Sequence, residues 1–242
     1  MTRDISPDLA KIRLFLTEPH ACSYLPNRQA TTAFVDPKVE ANIDIYNDLS
    51  DLGFRRSGRY LYTPRCGSCK ACIPIRIDAV DFRPSRQQRK CLNRNADLAV
   101  DIVNTIDREE HYPLYERYIG ARHQDGDMHP PSRSQYEDFI GRPWQEGTTA
   151  FMEFRKDGEL LGCAVIDWLR MGASAIYTYF DPAEDRRSLG TFAILQQIEA
   201  VLARNLDYVY LGFWIRDSSK MSYKIKFKPA ELFINDQWMR LG

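Results

Sequence analysis

Apolar positions in the first third of the chain follow short alternating runs, interrupted by one helical period. Between residues 38 and 53 the apolar side chains recur every three or four positions, and Gly53 follows at a C-cap position. This segment is therefore predicted to be a helix. The alternating runs predict short strands over residues 13–17, 31–35, 59–64 and 73–80.

The remainder of the chain has longer and clearer periods. Residues 149–169 read as a hairpin, because two strand-like runs flank the turn pair Asp157-Gly158. Further strands are predicted over 174–182 and 208–215, and helices over 82–95, 108–123, 132–143 (with a serine cap), 185–205 and, as a short piece, in 218–227. This order predicts a mixed α/β protein. We place a domain junction near residues 95–105, which gives domains of 1–95 and 96–242.

Charge is distributed unevenly in a chain whose formal net charge is zero. Between Gly53 and Asn95 there are eleven Lys/Arg and two Asp/Glu, an excess of nine, so the rest of the 242 residues carries minus nine. The composition, 44% hydrophobic and 27% charged, is that of an ordinary globular protein. The basic block indicates an anionic partner bound locally.

No apolar run approaches the roughly 20 residues of a membrane helix, and the N-terminus has no apolar signal core. The sequence therefore predicts a cytoplasmic protein without a membrane partner. In that compartment its six cysteines are expected to be reduced.

Cations alternate with aromatic residues over residues 53–65, a pattern that suits nucleic-acid ends because guanidinium groups meet phosphates and rings stack on bases. The alternative is a solvated strand edge protected by charge. Basic residues recur at helical spacing just downstream and predict a cationic helix face, formed by Arg86, Arg89, Lys90 and Arg94.

A second candidate site lies where a strand ends and the helix over 185–205 begins. Arg187-x-x-Gly190 resembles the loop with which the GNAT acyltransferases hold a pyrophosphate, although a plain helix cap has the same composition. The strand and helix order around it is also that of the GNAT fold. Tyr223 occupies the position where that fold often has a tyrosine that protonates the leaving group; the alternative is a buried tyrosine with a satisfied hydroxyl.

Several motifs together resemble the arginyl-tRNA–protein transferase family. In the N-terminal part these are Cys22-Ser-Tyr-Leu-Pro, Gly53-Phe-Arg-Arg-Ser-Gly, the cysteine loop running into Ile73-Pro-Ile-Arg76, and Phe82-Arg-Pro-Ser-Arg. In the C-terminal part they are Tyr177-Thr-Tyr-Phe-Asp-Pro182 and Gly212-Phe-Trp-Ile followed by Ser218-x-Lys220-Met-x-Tyr223-Lys224. The resemblance spans about Cys22 to Lys228, and the short length and cysteine loop are similar to the bacterial, leucine-transferring branch.

This resemblance implies transfer of leucine from leucyl-tRNA to proteins with an N-terminal Asp or Glu, which marks them for degradation. It implies a GNAT-like acyltransferase domain, with a mixed, mostly antiparallel sheet and helices, after a smaller α+β domain. The implied catalytic residues are Tyr223, Lys220 and Ser218. The implied acceptor-binding residues are Arg76 first, then Arg55, Arg56, Tyr60 and Tyr62. Aminoacyl-tRNA binding is assigned to Arg187, Leu189, Gly190, Thr191, Tyr177, Tyr179, Trp214, Lys224, Arg86, Arg89 and Lys90.

The cysteines leave two interpretations. Cys22, Cys66, Cys69 and Cys72 could form a four-ligand site by number, and their spacing suits zinc or iron–sulfur. However, Leu25 stands where eukaryotic members of the family have a second cysteine of the first pair. We therefore expect a metal-free loop that shapes the wall carrying Arg76, and no cofactor.

Two rival functions remain open at this point. An acetyl-CoA-dependent N-acetyltransferase would explain the C-terminal half, and a metal-stapled RNA-binding module would explain the N-terminal half. The donor amino acid does not follow from spacing either, because the apolar candidates for a leucine pocket, Phe180, Phe213, Trp214 and Ile215, would also suit a strand core.

Overall fold

The computed structural model describes residues 12–39, 41–124, 126 and 128–241. The N-terminal segment expected to lack a signal core falls almost entirely outside these residues. The strands are β1 (Leu14–Leu16), β2 (His20–Ala21), β3 (Gln29–Ala30), β4 (Thr32–Val35), β5 (Arg55–Ser57), β6 (Tyr60–Pro64), β7 (Ile73–Asp78), β8 (Ala99–Val103), β9 (Thr149–Lys156), β10 (Glu159–Leu169), β11 (Gly172–Phe180), β12 (Tyr208–Trp214), β13 (Ala230–Ile234) and β14 (Gln237–Arg240). The α-helices are α1 (Ile43–Asp51), α2 (Arg86–Arg94), α3 (Arg108–Arg122), α4 (Arg133–Tyr136) and α5 (Leu189–Ala203).

The chain forms two compact units. The first runs to Ile77 and resumes at Leu211, and the second spans Asp78–Tyr210. This division differs from the predicted one at residue 95. Two long-range interactions explain the difference: β13 pairs with β7 inside the first unit, and the Cys91 thiol and Asn95 amide at the end of α2 donate to the Arg187 carbonyl inside the second.

The first unit contains the antiparallel sheet β1-β4-β6-β5 and the hairpin β2-β3. Helix α1 is capped at its N-terminus by Asn42, whose side chain accepts from the Ile45 amide, and its C-cap Leu52 is followed by Gly53 at φ +82. A Cβ at Gly53 would lie 2.6 Å from Pro74 Cγ, so this position needs glycine for space as well as for φ. In the same unit, β7, β13 and β14 pair in antiparallel order.

The second unit is a mostly antiparallel sheet with helices on both faces. Strands β8, β9, β10 and β11 pair antiparallel in chain order, and the start of β12 joins β11 in parallel. Tyr115 of α3 packs on Tyr179 of β11, whereas Phe192 of α5 packs on Phe154 of β9. Phe151 belongs to the cluster on the α3 side, and since Phe151 and Phe154 differ in parity on β9, α3 and α5 cover opposite faces.

Most predicted elements are confirmed. The β9–β10 hairpin turns at Asp157 and Gly158, both with positive φ, and α2 starts with a capping box at Ser85. The helix predicted over 185–205 begins later, at Leu189, because Ser188 adopts a left-handed conformation after a short 3₁₀ turn. The sequence missed the short strands β2, β3 and β5, the longer strand β8 and the C-terminal hairpin β13–β14. Among the described residues no helix has the length and apolarity to cross a membrane.

Candidate substrate-binding cleft

A cleft of about 1550 Å³ lies within the first unit. Four cations line it: Arg28, Arg65, Lys70 and Arg76. Asp236 is the one carboxylate among its described lining residues. The ring-bearing lining residues are Tyr24, Phe54, Tyr62, Phe213, Phe233 and Trp238, together with His20. A basic cleft walled by rings suits an anionic ligand that also carries flat groups.

The C-terminal hairpin builds one wall of this cleft. Its turn residues Asn235 and Asp236 both have positive φ, which short polar side chains tolerate. Trp238 stacks on Phe233 and donates its indole N–H to the Asp51 carbonyl at 3.0 Å, so the hairpin is tied to the end of α1. The sequence did not predict this wall. It depends on the pairing of β13 with β7, whose residues lie about 155 positions earlier in the chain.

Arg76 lies in the cleft wall, as expected, but its guanidinium is already engaged. Its Nε and Nη2 each lie 2.7 Å from Glu231 Oε2, Nη1 lies 4.0 Å from Asp51, and its Cζ lies 4.4 Å from the centre of the Trp238 ring. Arg76 is 7% exposed. The structure therefore gives this arginine a structural ion pair inside the wall.

Two further cations of the first unit are buried and do not themselves line the cleft. Arg55 on β5 is 9% exposed, and Lys224 on a 3₁₀ turn after β12 is 6% exposed. The Lys224 ammonium donates to the Phe213 carbonyl at 2.7 Å. Arg55 approaches β12 so closely that a Cβ on Gly212 would lie 3.1 Å from its Nε. The solvated-edge interpretation does not fit Arg55 and Arg56, since Arg56 is also buried and donates to the Gly58 carbonyl. Arg59 and Arg65 of the same pattern are exposed.

Tyr60 lies away from this cleft. It is 41% exposed and shares a small apolar pocket with Phe15 and Phe34. Tyr62, two residues later on the same strand, does line the cleft and packs on Phe213 at 6.0 Å. Burial raises the pKa of the Tyr62 hydroxyl and raises that of Tyr24 to about 12, so both phenols remain neutral hydrogen-bond donors.

The four candidate cysteine ligands, Cys22, Cys66, Cys69 and Cys72, are half-buried free thiols that all line the cleft. Within the described residues no three Cys, His, Asp or Glu side chains are grouped closely enough to hold a metal ion. Burial, followed by the neighbouring Cys66, raises the pKa of Cys72 to about 11. The arrangement is thus a set of free thiols in the wall, with His20 beside them.

The start of α5 in the second unit is the predicted phosphate corner. Gly190 and Thr191 are half-buried in its first turn, whereas Leu189 is fully buried. Arg187 makes a bidentate ion pair with Asp97, at 2.7 and 2.9 Å, and its Nε donates to Glu184 at 2.6 Å. The hydrogen bonds from Arg187 hold the pKa of the exposed Asp97 carboxyl at about 2.

Tyr177 and Tyr179 belong to the aromatic core of the second unit. The Tyr179 hydroxyl lies 2.7 Å from His111 Nδ1, and His111 Nε2 lies 3.0 Å from Glu153. His111 is fully buried, and burial lowers its pKa. Tyr179 therefore serves a buried polar network that the sequence did not reveal.

The expected catalytic residues follow β12 on two short turns. Tyr223 is 43% exposed, Lys220 is exposed, and Ser218 is buried. Trp214 ends the strand, with a buried indole N–H that has no hydrogen-bond partner among the described residues. Of the apolar leucine-pocket candidates, Phe213 and Ile215 line the cleft, whereas Phe180 belongs to the second unit and packs on Tyr118 at 4.9 Å.

Helix α2, also in the second unit, presents the predicted cationic face. Arg86, Arg89 and Lys90 are exposed, while Gln88 and Cys91 on the opposite face are buried. This is the amphipathic pattern expected of a helix that offers charge to an external partner.

The fold is that of a mixed α/β protein. Its cleft is lined by basic and aromatic side chains, which suit an anionic ligand that carries flat rings. The chain belongs to the arginine-tRNA-protein transferase family, whose N-terminal and C-terminal sequence models match residues 20–90 and 110–234. It is therefore a member of a family of transferases.

Among its relatives is an aspartate/glutamate leucyltransferase of Saccharophagus degradans, 52% identical over 96% of this chain and 98% of that protein. Another, from Pseudomonas entomophila, is 51% identical over 97% and 99%. Among solved structures, L-PGS from Bacillus licheniformis has a TM-score of 0.47 and 11% identity, covering 73% of this chain and 51% of that one. That likeness is too distant to carry an argument.

Proposed function

We propose that this protein is an aspartate/glutamate leucyltransferase, which moves leucine from leucyl-tRNA to the α-amine of proteins that begin with Asp or Glu. The observation that carries the proposal is the near full-length identity of about half to relatives of that name. The cleft supports it, because three lining cations besides the paired Arg76 stand against one described carboxylate and favour anionic substrates. The proposed place of action is the cytoplasm, where the product would be a degradation signal.

The reaction is aminolysis of an ester. The acceptor's α-amine has a pKa near 8, so about a tenth is unprotonated at pH 7 and a strong base is not required. The amine attacks the leucyl carbonyl, the bond to the tRNA 3′-oxygen breaks, and that oxygen takes up a proton. The enzyme must position two substrates and stabilise an oxyanion.

Tyr223 is the proposed proton donor to the 3′-oxygen, with Lys220 and Ser218 beside it. The residue is 43% exposed, and burial of its hydroxyl raises the pKa of that group, which keeps the phenol protonated and able to donate. The buried indole N–H of Trp214 is a donor suited to an oxygen of the aminoacyl end.

The tRNA is proposed to contact the cationic face of α2 and the first turn of α5 at Gly190 and Thr191. Because Arg187 is paired with Asp97 and Glu184, its proposed role there is to hold the corner, with backbone N–H groups meeting phosphates.

The acceptor is proposed to enter the cleft of the first unit. Arg55, Arg56, Arg76, Tyr60 and Tyr62 remain the proposed acceptor residues, although Arg76 and Tyr62 are the two that line this cleft. The ion pair of Arg76 with Glu231 gives Arg76 a structural role in the wall as well.

One assay tests the function. The protein is incubated with leucyl-tRNA and acetyl-CoA, each carrying a different label, and with acceptor proteins that start with Asp, Glu or Asn. Transfer of the leucyl label to the Asp and Glu acceptors is expected. Transfer of the acetyl label would establish an N-acetyltransferase instead, and tRNA binding without transfer of either label would establish an RNA-binding module.

A further inference from the structure

The four-stranded sheet of the first unit ends in a strand whose outer edge is open. Strand β1 is the first in the order β1-β4-β6-β5, so β4 pairs with one of its edges and, among the described residues, no strand pairs with the other. Its side chains Leu14, Phe15 and Leu16 are 43%, 53% and 64% exposed. An exposed apolar edge of this kind is suited to pairing with a further polypeptide strand.

The register of β1 decides which of its main-chain groups face outward. Directly after the strand, Thr17 donates its N–H to the Thr32 carbonyl at 3.0 Å and so belongs to a hydrogen-bonded pair. Such pairs alternate along an antiparallel ladder with pairs whose N–H and C=O groups point away. Leu14 and Leu16 lie three and one positions before Thr17, so their N–H and C=O groups point outward, where an added strand would meet them.

Beside this edge lies an apolar pocket of about 480 Å³. It is lined by three rings, a proline and one pair of opposite charges: Phe15, Phe34, Tyr60, Pro37, Asp36 and Lys38. Because the two formal charges cancel, the pocket has no net attraction for a polyanion. It is suited to an apolar side chain.

The pocket is continuous with the cleft along one face of the sheet. Tyr60 of the pocket and Tyr62 of the cleft lie two positions apart on β6 and therefore share a face. The Phe34 ring lies 6.0 Å from that of Tyr60 and 5.8 Å from that of Tyr62. The Tyr62 ring lies 6.0 Å from that of Phe213, inside the cleft. A row of rings thus leads from the cleft to the edge of β1.

The length of this path matches a few residues of polypeptide. Two residues of strand advance about 7 Å, and the passage from β4 across β1 to an added strand covers two spacings of about 4.8 Å. The pocket edge is therefore about 12 Å from the cleft, which three to four residues of extended chain can span.

We propose that the open edge of β1 and its pocket bind the acceptor polypeptide beyond its N-terminal residue. The acceptor adds a strand to β1 and places one apolar side chain, from a position three to six residues into its chain, in the pocket. Main-chain hydrogen bonds supply affinity for any sequence, and the pocket supplies specificity. This inference rests on the proposed function and deepens it, because it adds a second determinant of which proteins are modified.

Two other occupants fit the observations less well. A single-stranded nucleic acid would use the rings but not the outward main-chain groups of β1. A second copy of this chain would find an edge of three residues, which falls short of the area on which stable dimers are built. A weak contact suits an acceptor, which has to leave after the reaction.

A series of acceptor peptides tests the pocket. Each peptide begins with Asp, continues in Gly and Ser, and carries one Leu at a position from two to eight. Leucine transfer from leucyl-tRNA is measured with each peptide. Leu at one or two positions between three and six is expected to lower KM about tenfold with kcat unchanged, since partial burial of one leucine side chain is worth about that much.

Variants then place the effect at β1. Phe15→Ser removes a wall of the pocket and should reduce the advantage of the best Leu position. Leu16→Pro removes an outward N–H without touching the ladder to β4 and should raise KM several-fold for every peptide, whereas Leu16→Ala, which keeps that N–H, should raise it far less. The matched control is Ile102→Ser, an exposed apolar residue on the edge strand β8, which should behave as the native protein.

The same contact can be tested from the peptide side, which keeps the inference falsifiable if Leu16→Pro does not fold in thermal unfolding. Methylating the backbone nitrogens of the best peptide one at a time should raise KM at every second position, because a paired strand turns alternate N–H groups towards its neighbour. Equal effects at all positions, or none, would contradict an added strand.

Further results would overturn the inference. These are a KM that does not depend on the position of Leu, or a Phe15→Ser protein that keeps the advantage. Loss of leucyl-tRNA affinity in Phe15→Ser, with the Leu advantage intact, would assign the rings to nucleic acid. A changed sedimentation coefficient with the advantage intact would assign the edge to a second copy. Absence of transfer to every peptide would contradict the proposed function and remove the basis of this inference, whereas transfer without dependence on position would contradict this inference alone.

Discussion

Arg76 has a structural role because its guanidinium is paired with the carboxylate of Glu231. The side chains of Arg76 and Glu231 are 8% and 14% exposed, and their ion pair joins β7 to β13 in the wall of the cleft. Removing one partner of a buried pair leaves the other charge uncompensated.

We predict that Arg76→Ala lowers the free energy of unfolding by about 3–5 kcal/mol, the range for breaking a buried ion pair. Urea denaturation measures this. The double variant Arg76→Ala/Glu231→Ala should regain part of the loss, because it does not leave the Glu231 carboxylate without its partner. A single variant with native stability but a raised KM for acceptors would instead favour a direct role of Arg76 in binding the acceptor.

The cysteines that line the cleft are expected to bind no metal, and this expectation can be tested with a chelator and with a cysteine variant. We predict that a chelator leaves leucine transfer unchanged and that Cys69→Ser lowers the midpoint of thermal unfolding only modestly, because the structure groups no three ligands for a metal ion within its described residues. Transfer activity and thermal unfolding, with and without chelator, measure this. Inactivation by the chelator, reversed by zinc or by rebuilding an iron–sulfur cluster, would contradict the prediction.

At the scale of elements, α2 offers an exposed cationic face on one side and a buried contact with the loop before α5 on the other. The exposed face is therefore available to bind a partner, whereas the buried face contributes to the stability of the fold. Substitutions on the exposed face are therefore expected to change affinity without unfolding the protein.

We predict that changing Arg86, Arg89 and Lys90 together to Ala weakens tRNA binding and lowers the slope of log affinity against log salt by about one for each phosphate that is no longer neutralised. Binding measured over a range of salt concentrations tests this. The matched control changes Arg13, Lys38 and Arg170, exposed cations elsewhere in the chain. Equal behaviour of the two triple variants would show α2 to be an ordinary solvated surface.

The corner before α5 carries a pH dependence of its own. Arg187 lowers the pKa of Asp97 to about 2, so the folded state favours the ionised carboxylate. Its contribution to stability is present above the ordinary aspartate pKa of about 4 and is lost as pH falls through 2. Asp97→Asn should remove that part of the acid sensitivity, as measured by thermal unfolding between pH 5 and pH 2. An unchanged profile would show that the ion pair adds nothing.

At the scale of the whole molecule, the reaction needs leucyl-tRNA and acceptor together. The sequence places no cysteine or serine beside a recognisable histidine–acid pair, and burial raises the pKa of the Cys72 thiol in the cleft to about 11, which leaves it a poor nucleophile.

We therefore predict direct transfer in a ternary complex. Mixing the protein with labelled leucyl-tRNA alone should give no covalently labelled protein after denaturation and mass spectrometry, whereas adding an Asp-starting acceptor should label the acceptor. A leucyl-protein intermediate formed without acceptor would refute this.

Local sequence patterns were sufficient to predict most helices and strands. The apolar period, the capping residues and the turn residues of a helix or hairpin all lie within the element itself. The capping box of α2, the Asp157-Gly158 turn and the apolar period of α5 are all readable within about twenty residues. The motifs were likewise sufficient to identify the family, since their residues are contiguous in the chain.

The sequence by itself thus determined the class of fold, the basic character of the N-terminal part and the family. Only the tertiary structure decided which charges meet. It paired Arg76 with Glu231 across 155 positions, placed Lys224 beside Arg55, and brought the C-terminal hairpin into the cleft wall. The physical reason is that burial and charge pairing depend on distances between residues far apart in the chain, and these distances exist only once the strands have paired.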